Sequence, residues 1–176
     1  EANLSRSLEG CDAAPGLDRD VAVSGLAYRS DAVRPGDAFF CIPGFRADGH
    51  SYAEDAVARG ASALVCERPL ELSAPQAVVS DTRRALALAS ARFYGEPSAA
   101  MDVVGITGTN GKTTTTYLLD SVLRAAGRRT GIIGTVETRI AGERLTSANT
   151  TPESAELQRL LARMRDDGVT GVSMEV

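Results

Sequence analysis

Seven residues in one short run carry the strongest chemical signal in this chain: Gly108, Thr109, Asn110, Gly111, Lys112, Thr113 and Thr114. Small residues let successive backbone N–H groups point at phosphate oxygens, and a helix starting at the lysine adds a partial positive charge. Lys112 can reach β- and γ-phosphates, while the Thr113 hydroxyl can sit on Mg²⁺. The run departs from the generic G-x-x-x-x-G-K-[ST] pattern at one place. Ile106 stands where the first glycine would, so Gly108 and Gly111 must do the turning. The expected chemistry is the gripping of ATP or GTP. The plain alternative is a glycine-rich strand-to-helix turn with an incidental lysine.

Such a loop needs a strand to deliver it and a helix to leave it. Met101–Ile106 is an apolar run feeding into it, and Tyr117, Leu118, Leu119, Val122 and Leu123 follow in a helical pattern. Thr130–Val136 is a second core strand, and Val169–Val176 a third. Thr138–Ile140 and Arg144–Thr146, joined through Ala141–Glu143, form a hairpin. Pro152 is expected to start a helix with Leu157, Leu160, Leu161 and Met164 on one face, closed by Asp166-Asp167-Gly168. This is βαβ logic: a largely parallel sheet with its ligand at the strand C-terminal ends.

Upstream of Gly95-Glu96-Pro97-Ser98 the rhythm differs. Ala38–Ile42, Ala63–Cys66 and Ala77–Val79 are short apolar strands. Ser51–Arg59 is a helix with Tyr52, Ala53, Ala56 and Val57 at helical spacing and Gly60 as its stop. Asp81 caps a longer helix through Leu86, Leu88, Ala89 and Phe93. The fold class is therefore α/β. A small mixed N-terminal domain, residues 1–97, precedes the first part of a P-loop, Rossmann-like ATPase domain with a mostly parallel sheet, residues 98–176. The chain stops in mid-strand after about three core strands, as a fragment of a longer protein would.

Composition narrows the function classes. The 176 residues include 43% hydrophobic and 24% charged residues, ordinary for a soluble globular protein. A net charge of −4 gives no support to nucleic-acid or anionic-membrane binding driven by bulk electrostatics. No stretch approaches the roughly 18 to 20 apolar residues of a membrane span, and the first residues lack the pattern of a secretory signal. Cys11, Cys41 and Cys66, odd in number and widely spaced, are expected to be free thiols of a reducing compartment. The expected address is the cytoplasm and the expected state a monomer.

Several segments in order resemble the Mur ligases, ATP-dependent amide-forming enzymes of bacterial peptidoglycan synthesis. Thr107–Thr115 is similar to that family's ATP loop. Asn149-Thr150-Thr151-Pro152-Glu153 with Glu156-Leu157-Gln158, and Ser173-Met174-Glu175-Val176, resemble two further motifs. Tyr28–Phe40 resembles the D-S-R-x-V-x-P-G-D-L-F segment of the MurE type, which adds the third stem-peptide residue. Gly44–His50 resembles its G-x-x-x-D-G loop. Two departures stand out: Asp31 in place of the motif arginine, with Arg29 on the other side of Ser30, and Phe45 where a small or polar residue is usual.

The resemblance implies phosphorylation of the D-glutamyl carboxylate of UDP-N-acetylmuramoyl-L-alanyl-D-glutamate by ATP. The amine of a diamino acid, meso-diaminopimelate or L-lysine, then attacks. Lys112 and Glu175 are the implied catalytic residues, with Thr113 and Glu175 on Mg²⁺. Tyr28, Ser30, Phe45, Arg46 and Ala47 would meet the uridine diphosphate end, and Asn149, Thr150 and Thr151 the sugar-peptide end. Thr151 also suits the cap of the following helix. His50 is expected to serve helix start and loop packing rather than catalysis. Without the residues after Val176 the fragment alone is expected to lack ligase activity. A P-loop phosphotransferase outside cell-wall synthesis, or a non-catalytic UDP-sugar-binding module, is the alternative.

Overall fold

A computed structural model of the chain describes residues 2–12, 21–44, 47–145 and 152–176. The backbone falls into two compact units, Glu1–Phe93 and Tyr94–Val176, each built on its own sheet.

The first unit opens with β1 (Ala2–Asn3) and a one-turn helix, α1 (Leu4–Ser7). β1 pairs antiparallel with β2 (Ala22–Val23). The main sheet runs β3 (Gly25–Ala27), β4 (Asp37–Phe40), β5 (Ala63–Cys66) and β6 (Gln76–Val78), parallel throughout and in chain order. β4 and β5 are buried at every residue, which is why they appear in the sequence as unbroken apolar runs instead of alternations. The helix α2 (Ala53–Ala58) crosses from β4 to β5, and α3 (Thr82–Phe93) follows β6. Ala53 and Ala56 of α2 pack on Phe39 and Leu64. Asp81 does cap α3, its carboxylate accepting the Arg84 N–H at 2.8 Å.

Two expectations for this unit change. The helix expected from Ser51 begins as a 3-10 turn, Gly49–Tyr52, because the Asp48 carboxylate accepts the His50 N–H at 3.0 Å and tightens the entry. Tyr52, expected on the apolar face, is 46% exposed. The strand β3 carried too few residues to register as a pattern.

The second unit contains β7 (Asp102–Ile106), α4 (Lys112–Ala125), β8 (Thr130–Ile133), β9 (Thr138–Ile140), β10 (Glu143–Leu145), α5 (Ser154–Asp166) and β11 (Gly171–Glu175). Its sheet has the order β10-β9-β8-β11-β7; β8, β11 and β7 are parallel and the β9–β10 hairpin is antiparallel. The hairpin turns at Ala141-Gly142, both with positive φ (+50° and +97°), so β10 starts one residue earlier than expected. Successive residues of β8 face opposite sides. Gly131 faces α5, where an added Cβ would lie 2.7 Å from the Met164 sulfur, and Thr130 faces α4 through Asp120. The sheet thus lies between α4 and α5. Contrary to expectation, α5 begins at Ser154 and not at Pro152, because the Glu153 backbone is extended (ψ 163°) and ends the helical geometry there. No helix among the described residues is long and apolar enough to cross a membrane.

Candidate functional site

The loop between β7 and α4 comprises five exposed residues, Thr107–Gly111. Gly108 (φ +149°) and Gly111 (φ +78°) turn it in a region that costs other residues strain. An added Cβ at Gly111 would meet nothing within 4 Å, so that glycine is required by conformation, not by crowding. The first helical bond of α4 runs from the Thr115 N–H to the Gly111 carbonyl at 2.9 Å. The N–H groups of Lys112, Thr113 and Thr114 are therefore left without helical acceptors. Among the described residues, no backbone carbonyl accepts from the N–H groups of Gly108, Thr109, Asn110 or Gly111. The Lys112 ammonium lies back over the loop and donates to the Gly108 carbonyl at 2.8 Å. The result is a concentration of unused donors around one ammonium, suited to several phosphate oxygens.

The direction of α4 is fixed from within. Asp120, 1% exposed, accepts from the Thr130 hydroxyl at 2.6 Å and from Arg139 on β9, and pairs with Arg124 at 3.2 Å. Helix, core strand and hairpin are tied at one carboxylate.

Glu175 is the last residue of β11 and stands in register with Ile106, the last residue before the loop. Neighbouring strands lie roughly 4.8 Å apart, so the carboxylate and the loop share the C-terminal edge of the sheet. Glu175 is buried. The Thr135 hydroxyl donates to its Oε2 at 2.8 Å, and a Cβ on Gly134 would sit 2.7 Å from its Oε1. Among the described residues it has no cationic partner. A buried carboxylate with one neutral donor keeps free lone pairs and uncompensated charge. Those features fit a divalent cation shared with phosphate oxygens, since Mg²⁺ usually takes one or two carboxylates and completes its shell with water and phosphate. No group of three His, Cys, Asp or Glu among the described residues could form an all-protein cage.

The first unit holds a cavity of about 420 Å³. Tyr28 and Ser30 line it from the end of β3, Phe39 and Ile42 from β4 and its exit, and Ala47, Gly49 and Tyr52 from the turn into α2. The Ser30 side chain bonds the Asp55 carboxylate, which holds that carboxyl below its ordinary range, with Arg59 adding to the effect. Arg29 and Asp31, at the same cavity, form a two-pronged pair at 3.1 and 2.6 Å, and this bond lowers the Asp31 carboxyl. The exchanged charges on either side of Ser30 thus meet each other. His50 fixes the turn: its Nδ1 lies 2.6 Å from Asp48 Oδ1, and its Nε2 accepts the Glu67 N–H at 2.9 Å. Those two bonds set the neutral tautomer and match the packing role expected for this residue.

Of the residues expected to act, Gly108–Thr114 come together on the loop and the first turn of α4, with Glu175 at the end of the strand beside β7. Tyr28, Ser30 and Ala47 come together at one cavity. Phe45, Arg46, Asn149, Thr150 and Thr151 lie outside the described residues. Tyr52 at the cavity, and Gly134 and Thr135 against Glu175, are neighbours that the sequence pattern does not single out for the site. Tyr52 closes the 3-10 turn that starts at Gly49, and an aromatic at that place is as much a site signal as a core signal. Cys41 and Cys66 are buried free thiols, and burial, with Cys66 nearby, pushes the Cys41 thiol up to about 12.

Comparison with known proteins finds one family along both units. Residues 22–94 match the profile of the Mur ligase family, catalytic domain, and residues 106–176 that of the Mur ligase middle domain. A UDP-N-acetylmuramoyl-L-alanyl-D-glutamate–2,6-diaminopimelate ligase of Geobacillus thermodenitrificans is 51% identical over 151 residues, 86% of this chain and 31% of that protein. A solved structure of a ligase with that same substrate name superposes with a TM-score of 0.72 at 25% identity, over 88% of this chain and 32% of that one. The MurF ligase of Thermotoga maritima, solved with ADP, gives a TM-score of 0.60 at 26% identity, over 89% and 33% of the two chains. The chain spans about a third of the length of the relatives it matches.

Proposed function

The chain belongs to the Mur ligase family, and we propose that it supplies the UDP-substrate unit and the first part of the ATP unit of a MurE-type ligase. That enzyme would join a diamino acid to UDP-N-acetylmuramoyl-L-alanyl-D-glutamate at the expense of ATP, in the bacterial cytoplasm. The name of the relative 51% identical to it favours 2,6-diaminopimelate as the amine.

The observation that carries this reading is the register of Glu175 with Ile106, beside a loop whose N–H groups and Lys112 are uncommitted to other structure. On binding ATP, Lys112 exchanges the Gly108 carbonyl for β- and γ-phosphate oxygens, and the N–H groups of Gly108–Thr114 hold the rest of the triphosphate. Thr113 and Glu175 would hold Mg²⁺, which would supply positive charge where two anions must approach. The substrate carboxylate oxygen then forms a bond to the γ-phosphorus as the bond to the bridging oxygen breaks, releasing ADP. The amine attacks the acyl carbon, phosphate leaves, and the nitrogen loses a proton to give the amide.

In the first unit, Tyr28 and Tyr52 would flank the uracil in the 420 Å³ cavity. Ser30, beside Asp55 at the same cavity, would hydrogen-bond the uracil. Ala47 and the neighbouring Phe45 and Arg46 are proposed for the diphosphate, and Asn149, Thr150 and Thr151 for the sugar-peptide end. Calorimetry with the UDP-dipeptide and, separately, with Mg-ADP tests the reading. Lys112→Ala is expected to weaken Mg-ADP at least ten-fold and leave the UDP-dipeptide unchanged. No binding of either ligand by the unaltered chain would overturn it.

A further inference from the structure

The Glu175 carboxylate does not hold its position alone. β8 ends at Ile133, and the next two residues meet both of its oxygens: Thr135 donates a hydrogen bond to Oε2 at 2.8 Å, and the bare Cα of Gly134 leaves the room that Oε1 occupies. Glutamate has three rotatable bonds and loses freedom when fixed. One hydroxyl and one missing methyl group select a single arrangement from its rotamers. Thr135 is itself exposed, so its hydroxyl has water as an alternative partner; the bond to Glu175 is a choice of geometry and not a burial requirement.

We propose that Gly134 and Thr135 are positioning residues for a metal-binding carboxylate: they orient Glu175 so that its free lone pairs face a nucleotide-bound divalent cation. This rests on the assignment of Glu175 to the cation given above. A donor to one oxygen of a ligating carboxylate fixes which lone pairs remain for the metal, and loss of such outer partners typically costs ten- to a hundred-fold in metal affinity. Thr135 keeps one hydrogen-bond donor on Oε2. Gly134 prevents the side chain from being pushed out of line.

Mn²⁺, which replaces Mg²⁺ and is seen directly by electron paramagnetic resonance, is the probe, titrated into the chain with saturating ADP. Glu175→Gln is expected to weaken protein-bound Mn²⁺ at least ten-fold. Thr135→Val is expected to weaken it about ten-fold, Thr135→Ser to restore it, and the Thr135→Val/Glu175→Gln pair to be no weaker than Glu175→Gln alone. Gly134→Ala should fold, because the atom it meets is the movable end of a side chain, and should weaken Mn²⁺ as Thr135→Val does. Melting temperatures identify any variant whose loss is only structural. If Glu175→Gln weakens Mn²⁺ while Thr135→Val and Gly134→Ala leave it unchanged, the positioning role fails and the metal assignment stands. If Glu175→Gln has no effect, or the unaltered chain shows no protein-bound Mn²⁺, both fail together.

Discussion

Replacing His50 probes how the first unit builds its cavity. The imidazole side chain is 1% exposed and makes two bonds in opposite directions, accepting the Glu67 N–H at 2.9 Å and donating toward Asp48 at 2.6 Å. In His50→Ala the Glu67 N–H loses its acceptor, which costs about 1–3 kcal/mol for a donor hidden from water. The bond to a charged carboxylate contributes about 1.5–3 kcal/mol when shielded. Asp48 is 38% exposed and also held by Arg68, so the lower end applies. Together the loss is about 2.5–4.5 kcal/mol, and for a unit of this size each kcal/mol lowers the melting temperature by about 4–8 °C. Urea unfolding followed by circular dichroism measures it. Two variants separate the bonds. His50→Gln can still accept from Glu67 and should lose about 1–2 kcal/mol, whereas His50→Asn keeps only the Asp48 side and should lose more. Gly49 and Tyr52 line the cavity, so both variants should also weaken the UDP-dipeptide. A His50→Ala cost under about 0.5 kcal/mol, the size of an ordinary surface change, would refute the reasoning.

Three other perturbations have definite outcomes. Asp48 is held well below the usual carboxylate range, first by the Arg68 hydrogen bond and then by the His50 N–H and ring. Its contribution is therefore present above the unfolded value near pH 4 and is lost as pH falls below it. Asp48→Asn should flatten the acid limb of the first unit's stability, and an unchanged limb would contradict the assignment. Asp120→Ala removes the buried carboxylate that the Arg139 guanidinium, 17% exposed, shares with Arg124 and the Thr130 hydroxyl, and leaves Arg139 the longer contact to Glu137 at 3.9 Å. A loss of about 3–5 kcal/mol is expected for a broken buried pair, read as a fall in the melting temperature of the second unit; a loss under 1 kcal/mol would show that water replaces the carboxylate. Tyr52→Ala should weaken the UDP-dipeptide about ten-fold with little effect on stability, because the ring is 46% exposed. Equal affinity would remove it from the site.

The sequence made the loop legible because each of its requirements is local. Gly108 and Gly111 are needed for their φ, Lys112 for its charge, and α4 follows at once in the chain. β5 and α3 were legible for a similar reason: an unbroken apolar run bounded by turns, and a capping aspartate three residues before the N–H it binds. What escaped depends on pairing between distant segments. Thr135 and Glu175 are 40 residues apart, and only the parallel register of β8, β11 and β7 brings them to one sheet edge. β3 has three residues and exists because β4 offers it a ladder. Tyr52 satisfies a helical spacing and yet points outward, since a 3-10 turn at Gly49–Tyr52 rotates it away from the face that α2 buries. The start of α5 moved from Pro152 to Ser154 because a proline's fixed φ is compatible with the extended approach as well as with a first helical turn.

The partners of the carboxylates divide scaffold from chemistry in a way no residue type could. Asp120 has a hydroxyl and two guanidinium groups, Glu137 has Arg144 at 2.5 Å with Arg139 at 3.9 Å, and Asp48 has Arg68 and His50. Each of these charges is compensated within the chain, so a further cation would have to displace an arginine or the His50 ring and has little to gain. Glu175 is as buried as Glu137 but has, among the described residues, only the Thr135 hydroxyl. Folding around an uncompensated carboxylate is costly, and a fold that tolerates it at the one place where a phosphate loop ends the neighbouring strand must recover the cost on binding. The same logic explains Lys112. Its bond to the Gly108 carbonyl is neutral on one side and easily exchanged, so a phosphate, which answers the full charge, takes the ammonium without breaking an ion pair. An acid at the end of β11 and a loosely parked ammonium at the start of the helix that follows β7 suit the metal-bound triphosphate proposed for this site.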